Sequence, residues 1–436
     1  MRRLAASALA ALTLGPAAAR TEDGLADLLR RAEAHHPLLR GADTQVAAAA
    51  EGVAAARAEY RPSVVARAAA VATQRDARLQ DGGRFMRDDT QQSASVALDQ
   101  TLYDGGRRGL RTQLAGLRYR LAEARRDALV RDVRVAVAGD AFAYRAAEEA
   151  VRLNQRLVAL LREDVRAVTA RIRAGDATRT DLATTQSRLA LARARLAASE
   201  LERAVRRESL LSATGLDALP PLSAPEATCV LPGADEALRL AERRDPSLRA
   251  ARLQRDLARG ERALAGRATA PTLSLAAQAS TARQVSPVID ENDELSVGLS
   301  LTVPLYQGGR ARSANRRQAL AAQAAALDER EARRQLALRL RQLTAQREAS
   351  EVAVAAQTER LSAARQAAEG VRVGQGLGFY SQIEALNAAQ DSITTEIDLA
   401  TARADLAATE FALCATIGAV RCAPGRPCSA PAGAQR

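Results

Sequence analysis

The chain is poor in the residues that perform covalent or metal chemistry. Its 436 residues include only two histidines, the adjacent His35 and His36, and four cysteines, Cys229, Cys414, Cys422 and Cys428. No nucleophile–base set and no metal-ligand spacing is visible, so no catalytic residue, cofactor or metal is expected. Cys422 and Cys428 lie in a Pro/Gly-rich tail and could form a disulfide in an oxidising compartment. Metal binding by this pair is the weaker alternative, because no His lies nearby. What does recur is a glycine, a hydroxyl and an acid at fixed spacing: Gly175, Thr178 and Asp181 in "GDATRTD", and Gly378, Ser381 and Glu384 in "GFYSQIE". The chemistry available to these groups is electrostatic. The glycine can end one helix, the hydroxyl can cap the next, and the acid sits at the positive end of its dipole. As punctuation between helices these residues need no further role.

The two motifs are 203 positions apart, and so are other pairs. "LYDGGR" from Leu102 returns as "LYQGGR" from Leu305, and "LSATG" ending at Gly215 returns as "CATIG" ending at Gly418. Upstream the offset is 209: Pro37 matches Pro246 and Pro62 matches Pro271. The six-residue difference falls between Pro62 and Tyr103, where a surface loop could absorb it. The chain is a tandem duplication of about 200 residues, too long a period for a solenoid.

Residues 1–19 read as a cleaved signal peptide: Arg2 and Arg3, an apolar run from Leu4 to Leu14, then Gly15, Pro16 and three alanines. The run is too short to span a bilayer, no later helix is apolar enough to do so, and no Cys stands at the cleavage site to carry a lipid. The net charge of +12 falls to +10 without Arg2 and Arg3. With no Lys present, the positive charge is all Arg, spread along helices beside Asp and Glu. That pattern describes solvated helix faces rather than a nucleic-acid surface. Aromatics are 2% and Trp is absent, while Ala is abundant, which suits closely spaced helices.

The recurrent motifs need elements to position them. From about Thr21 to Tyr60 the pattern is helical, broken at Pro37. Val96, Leu98, Gln100 and Leu102 then alternate with other residues, and Val297, Leu299, Leu301, Val303 and Leu305 do so more clearly. Each half therefore contributes one β-hairpin, about 63–104 and about 272–306, of membrane-crossing length. After each Gly-Gly the period becomes helical. The pattern runs without Pro from Arg107 to Gly175, roughly 100 Å of helix at about 1.5 Å per residue. Val151, Val158, Leu161, Val165, Val168 and Ile172 form a coiled-coil seam, and Leu182, Leu189 and Leu196 carry the return, as Leu399, Leu406 and Leu413 do in the second half. The domain plan is thus a first repeat over 20–215 with a helical hairpin 107–214, a linker 216–237, a second repeat over 238–418 with a helical hairpin 310–417, and a flexible tail 419–436. Tyr103, Gly105 and Gly106 mark the first strand-to-helix junction, and Pro304, Tyr306, Gly308 and Gly309 the second. The glycines let the chain swing from strand to helix without steric conflict.

Four strands cannot close a barrel, and open edges cannot remain in lipid. The chain must oligomerise. Two copies would give a barrel filled by its own side chains, whereas three leave a hollow one, which makes a conduit.

This arrangement resembles the TolC-type outer membrane efflux protein family, on the strength of the duplication, the strand-end "LYDGG" and "VPLYQGG", and the tips with Gly and an acid six residues on. The resemblance implies a mainly α chain with a β-hairpin in each of two tandem repeats. Three chains would build an α-helical coiled-coil tunnel joined to a 12-stranded transmembrane β-barrel, four strands per chain. It further implies a homotrimer in the Gram-negative outer membrane with a periplasmic extension, without catalytic activity. The trimer would contact outer membrane lipid and no nucleic acid. A periplasmic adaptor (membrane fusion) protein would dock on the tips at Gly175, Thr178, Gly378 and Ser381, coupled to an inner-membrane RND or ABC transporter. The chain would then be the exit duct of a tripartite efflux or type I secretion system. Asp181 and Glu384 match the acids of the periplasmic aperture. Tyr380 stands where the family often has a locking Arg, and Asn387 where a further acid often lies; Arg179 or Arg372 could take the locking role. The rival classes are a periplasmic coiled-coil adaptor and a secreted coiled-coil scaffold. Neither explains two duplicated helical hairpins with membrane-length strands.

Overall fold

The structure, a computed structural model, describes residues 24–78, 82, 84–222, 233–283 and 291–418. Residues 1–19, read above as a signal peptide, lie outside the described residues, as do most of the linker, Cys229 and the tail with Cys422 and Cys428. The elements run α1 (Gly24–His35), α2 (Pro37–Ala58), β1 (Ser63–Arg78), β2 (Arg84–Tyr103), α3 (Arg107–Ala174), α4 (Arg179–Thr214), α5 (Ala234–Arg244), α6 (Pro246–Gly266), β3 (Thr272–Arg283), β4 (Glu291–Thr302), α7 (Arg310–Gly376) and α8 (Gln382–Thr416). The order helix, helix, strand, strand, long helix, helix occurs twice. None of the described helices is long and apolar enough to cross a membrane.

Local chemistry explains the breaks. Pro246 occupies the first turn of α6, where a missing N–H is harmless, and Asp245 caps it by accepting from the Leu248 amide at 2.8 Å. Asp245 is buried, and the guanidinium of Arg131 pairs with it. The two longest helices, of 68 and 67 residues, contain no Pro and are rich in Ala, Leu, Arg, Gln and Glu, all strong helix formers.

The chain divides into two compact units. One comprises Met1–His36, Val133–Thr228 and Gln346–Phe411. Its core packs Leu153, Leu157, Val158 and Leu161 of α3 against Leu189 and Ala192 of α4 and Leu386 and Ile393 of α8. A second cluster joins Ala138 and Phe142 to Ala404 and Ala407, with Phe142 and Phe411 meeting edge to face at 6.5 Å. Of the expected α3 seam, Val151, Val158, Leu161 and Val168 are buried and Val165 and Ile172 half-buried, while Leu153 and Leu157, outside that seam, are buried too.

The other unit comprises Pro37–Asp132, Cys229–Ala345 and Ala412–Arg436. Its helical core joins Ala241 and Leu248 to Leu336, Leu340, Leu413 and Ile417. Cys414 is buried there and disulfide-bonded; the other three cysteines lie outside the described residues. This unit also holds the sheet, a four-stranded antiparallel meander in the order β1-β2-β3-β4.

The duplication is carried into the hydrogen-bond register. Adding 209 to Ser63 and 203 to its partner Asp99 gives Thr272 and Thr302, which are themselves a pair. The sequence suggested that a loop absorbs the six-residue difference, but the first hairpin is longer in its ladder, which has 16 pairs against 12 in the second.

Candidate functional site

The sheet has two unlike faces. Cross-strand partners point the same way, so the sets Val64–Leu98–Ala277–Val297 and Val96–Ala279–Leu295 share one face, with Leu273, Leu275, Leu299 and Leu301. The opposite face carries Ser63, Arg67, Ser95, Asp99, Gln278, Ser280, Ser296 and Ser300, with Val65 and Val71 as its larger apolar members. Val64, Leu295, Val297, Leu299 and Leu301 are all more than 60% exposed. An apolar face this open, on a sheet whose two edges lack partners, does not suit water. Between Thr101 and Tyr103 the register shifts, so Leu102 leaves the alternation that Val96, Leu98 and Gln100 obey.

The first strand-to-helix junction is held by several side-chain hydrogen bonds. Buried Asp104 accepts from the amides of Gly106 at 3.1 Å and Arg108 at 2.7 Å, taking up free donors at the start of α3. Arg108, also buried, donates to the carbonyls of Thr101 at 2.7 Å and Leu102 at 3.1 Å, and its guanidinium lies 4.8 Å from the Tyr60 ring centroid. Arg107 donates to Thr272 Oγ1 at 2.6 Å, and Arg267 to the Gly106 carbonyl at 3.1 Å. Gly105 and Gly106 have φ of 66° and 76°, so a side chain at either would be strained. The sequence reading found these glycines but missed Asp104, Arg108 and Tyr60. An acid just before the Gly-Gly and an Arg two residues past it were the available signal. The second junction has Gln307 and Ala311 at those places; it keeps the glycines, at φ 58° and 83°, and the Arg that follows them, Arg310.

The two helix-reversal tips repeat each other bond for bond. Gly175 has φ 87°; its N–H reaches the Ile172 carbonyl at 3.1 Å, and the Asp176 N–H reaches Arg171 at 2.9 Å. Gly378 has φ 83°; its N–H reaches Gln375 at 3.0 Å, and the Phe379 N–H reaches Gly374 at 2.8 Å. Each returning helix opens on a reciprocal cap. Thr178 Oγ1 accepts from the Asp181 amide at 3.2 Å, while Asp181 accepts from the Thr178 amide at 2.9 Å. Ser381 and Glu384 do the same at 3.3 and 2.7 Å. Bonds from the Thr178 backbone and hydroxyl hold the Asp181 carboxyl below its ordinary pKa, and Ser381 acts likewise on Glu384.

The tips differ in surface. The first presents Asp176, Thr178, Arg179 and Thr180; the second presents Leu377 and Phe379, 69% and 77% exposed, with Tyr380 and Ile383. Tyr380 folds back against buried Gly374. Asn387 is exposed. Arg372 is paired with Glu369 at 2.6 Å, whereas Arg179 is exposed beside Thr178. Next to the second tip, Gln382 donates to Asp164 Oδ1 at 2.9 Å, and burial of Asp164 pushes its carboxyl above the usual value. Sequence reasoning missed this pair, since 218 residues separate its members.

Among the described residues there is no cluster of His, Cys, Asp and Glu able to hold a metal. The arginines are largely engaged with acids on neighbouring helices, as in Arg206–Asp140 at 2.9 Å and Arg255–Glu329 at 2.6 Å.

Comparison with known proteins agrees with this geometry. A curated relative, the outer membrane efflux protein BepC of Brucella suis, is 26% identical over 376 residues, covering 83% of this chain and 78% of its own. Among solved structures, a membrane protein from Pseudomonas aeruginosa superposes with a TM-score of 0.79 at 19% identity, over 91% of this chain and 94% of that one. The open state of the MtrE outer membrane channel of Neisseria gonorrhoeae superposes at 0.74 with 21% identity, over 91% and 89%. The family model described as outer membrane efflux protein matches residues 28–216 and 237–419, nearly the whole described chain, and the protein belongs to that family.

Proposed function

We propose that this chain is one third of a homotrimeric outer membrane efflux channel, the exit duct of a tripartite efflux or type I secretion system in a Gram-negative cell. The observation that carries the reading is the four-stranded sheet with one apolar face, one polar face and two unpaired edges. Three such sheets close a twelve-stranded barrel with the apolar face toward lipid and the polar face toward an aqueous lumen. The paired long helices supply the wall of a periplasmic tunnel.

On this reading the leader over 1–19 is cleaved on export and no lipid anchor follows. The tips at Gly175, Thr178, Gly378 and Ser381 receive a periplasmic adaptor protein bound to an inner-membrane RND or ABC transporter. Asp181, Tyr380, Glu384 and Asn387 line the periplasmic aperture. Cargo passes through without chemical change, so the chain is a conduit and not a catalyst.

Reconstitution into planar lipid bilayers tests the reading. The purified protein is expected to add discrete, ohmic conductance steps. Stable incorporation into the bilayer without any step would overturn it.

A further inference from the structure

The duplication places two versions of one structure in the same chain, one with a neighbour and one without. Strand β2 is covered on its outer side by β3, whereas β4, its copy, has an open edge. Leu102 and Tyr103 at the end of β2 are 48% and 54% exposed; their copies Leu305 and Tyr306 are 91% and 88% exposed. Gly105 is approached so closely by Ala270 that a Cβ would meet it at 2.3 Å, while its copy Gly308 faces open space. Arg107 donates to the Thr272 hydroxyl at 2.6 Å, while its copy Arg310 is exposed, and its guanidinium has no partner among the described residues. What the second junction lacks is what β3 and its lead-in give the first. The copy of β3 is β1, and the free β1 of this chain is the other sheet edge.

We propose that the seam between copies of this chain repeats the β2–β3 seam inside it, residue for residue: β4 pairs with β1 of a second copy in a defined register, and Arg310 bonds to Ser63 of that copy. This rests on the trimeric reading above and adds the register to it. The register follows from observed pairs. Leu98 pairs with Ala277, Ala97 with Gln278 and Asp99 with Ala276. Moving the β2 members forward by 203 and the β3 members back by 209 sets Leu301 against Ala68, Ser300 against Ala69 and Thr302 against Arg67. The faces provide a check. Leu301 and Ala68 both belong to the apolar face, and Ser300 and Ala69 both to the polar one. A slip of a single residue would drive the apolar side of one strand against the polar side of the other. At the junction, Arg310 is the copy of Arg107 and Ser63 the copy of Thr272, so cation and hydroxyl are both retained.

Cysteine cross-linking in intact outer membranes reads the register directly. Directly opposed residues of an antiparallel pair lie about 4.5–5.5 Å apart at Cα, within disulfide reach, whereas partners displaced by two lie beyond it. The double variant Ser300→Cys with Ala69→Cys is expected to give covalent dimers and trimers on non-reducing denaturing gels. Ser300→Cys combined with Arg67→Cys or with Val71→Cys should stay monomeric, as should each single variant. Cross-linking through a displaced pair, or intact trimers with no cross-link from any pair, would overturn the register and leave the channel reading standing. A monomer by native mass would overturn that reading itself. For the junction, Arg310→Ala and Ser63→Ala should each lower the temperature at which detergent-solubilised trimers dissociate, with no further loss in the double variant. Fully additive losses would rule out the Arg310–Ser63 bond.

Discussion

The ring of Tyr380 lies so close to the Cα of Gly374 that a β-carbon there would come within 2.6 Å of its Cδ2. The contact ties the second tip back onto α7, and it turns an ordinary rule around. Alanine in place of a helical glycine normally stabilises by about 0.5–1 kcal/mol. Gly370, one turn earlier, has open space where its Cβ would go, so Gly370→Ala should follow that rule. Gly374→Ala should instead destabilise the tip by about 1–3 kcal/mol through overpacking. Hydrogen exchange of amides near Phe379 would show the opposite signs; equal protection in both variants would remove the contact's importance.

The helix reversals should tolerate no proline. Gly175 and Gly378 have φ of 87° and 83°, where proline is fixed near −65°, and each donates an N–H that proline lacks. Gly175→Pro or Gly378→Pro should abolish export while trimers still reach the outer membrane. Export assays alongside native gels would check this, and normal export by both variants would mean the tips are not docking surfaces.

Acid should act on the tips in two directions. The carboxyls of Asp181 and Glu384 are held below their ordinary pKa by their caps, so their contribution is complete above the usual carboxylate range and fades as pH falls through the lowered values. Asp164 is shifted upward by burial, so its protonated form is favoured in the fold, and the benefit is lost as pH rises through that raised value. Because Asp164 is only half buried, Asp164→Asn should stabilise at neutral pH by no more than about 1 kcal/mol, with the gain vanishing near pH 4. Thermal melting of the two proteins at several pH values would reveal the crossover.

Glu384 is exposed at the start of α8, and its carboxylate already accepts from Ser381. If three copies face one another across the aperture, their field should favour cations and let a trivalent cation block the mouth. Glu384→Gln should then weaken both cation selectivity and block. Unchanged currents would leave the residue as a helix cap alone.

Much of this architecture could be read from the chain because it rests on periodicity. The alternation from Val297 to Leu301 and the seam from Val151 to Val168 depend only on neighbours a few residues away, and the structure displays both. The repeated Gly-Gly and tip motifs were legible because the duplication printed them twice. What escaped the sequence depends on long-range approach. Asp104, Arg108 and Tyr60 meet only once β1 pairs with β2, and Gln382 reaches Asp164 across 218 residues. The tips looked alike because their capping residues are alike, while the exposed Leu377 and Phe379 stand where the first tip has Ala174 and Asp176. Arg372, considered for a locking role, is already occupied by Glu369.

The central claim is that four strands per chain require three chains to make a hollow wall. Native mass spectrometry of the detergent-extracted protein tests it most directly. The account predicts one dominant species at three times the mass of the mature chain, and a dominant monomer or dimer would contradict it.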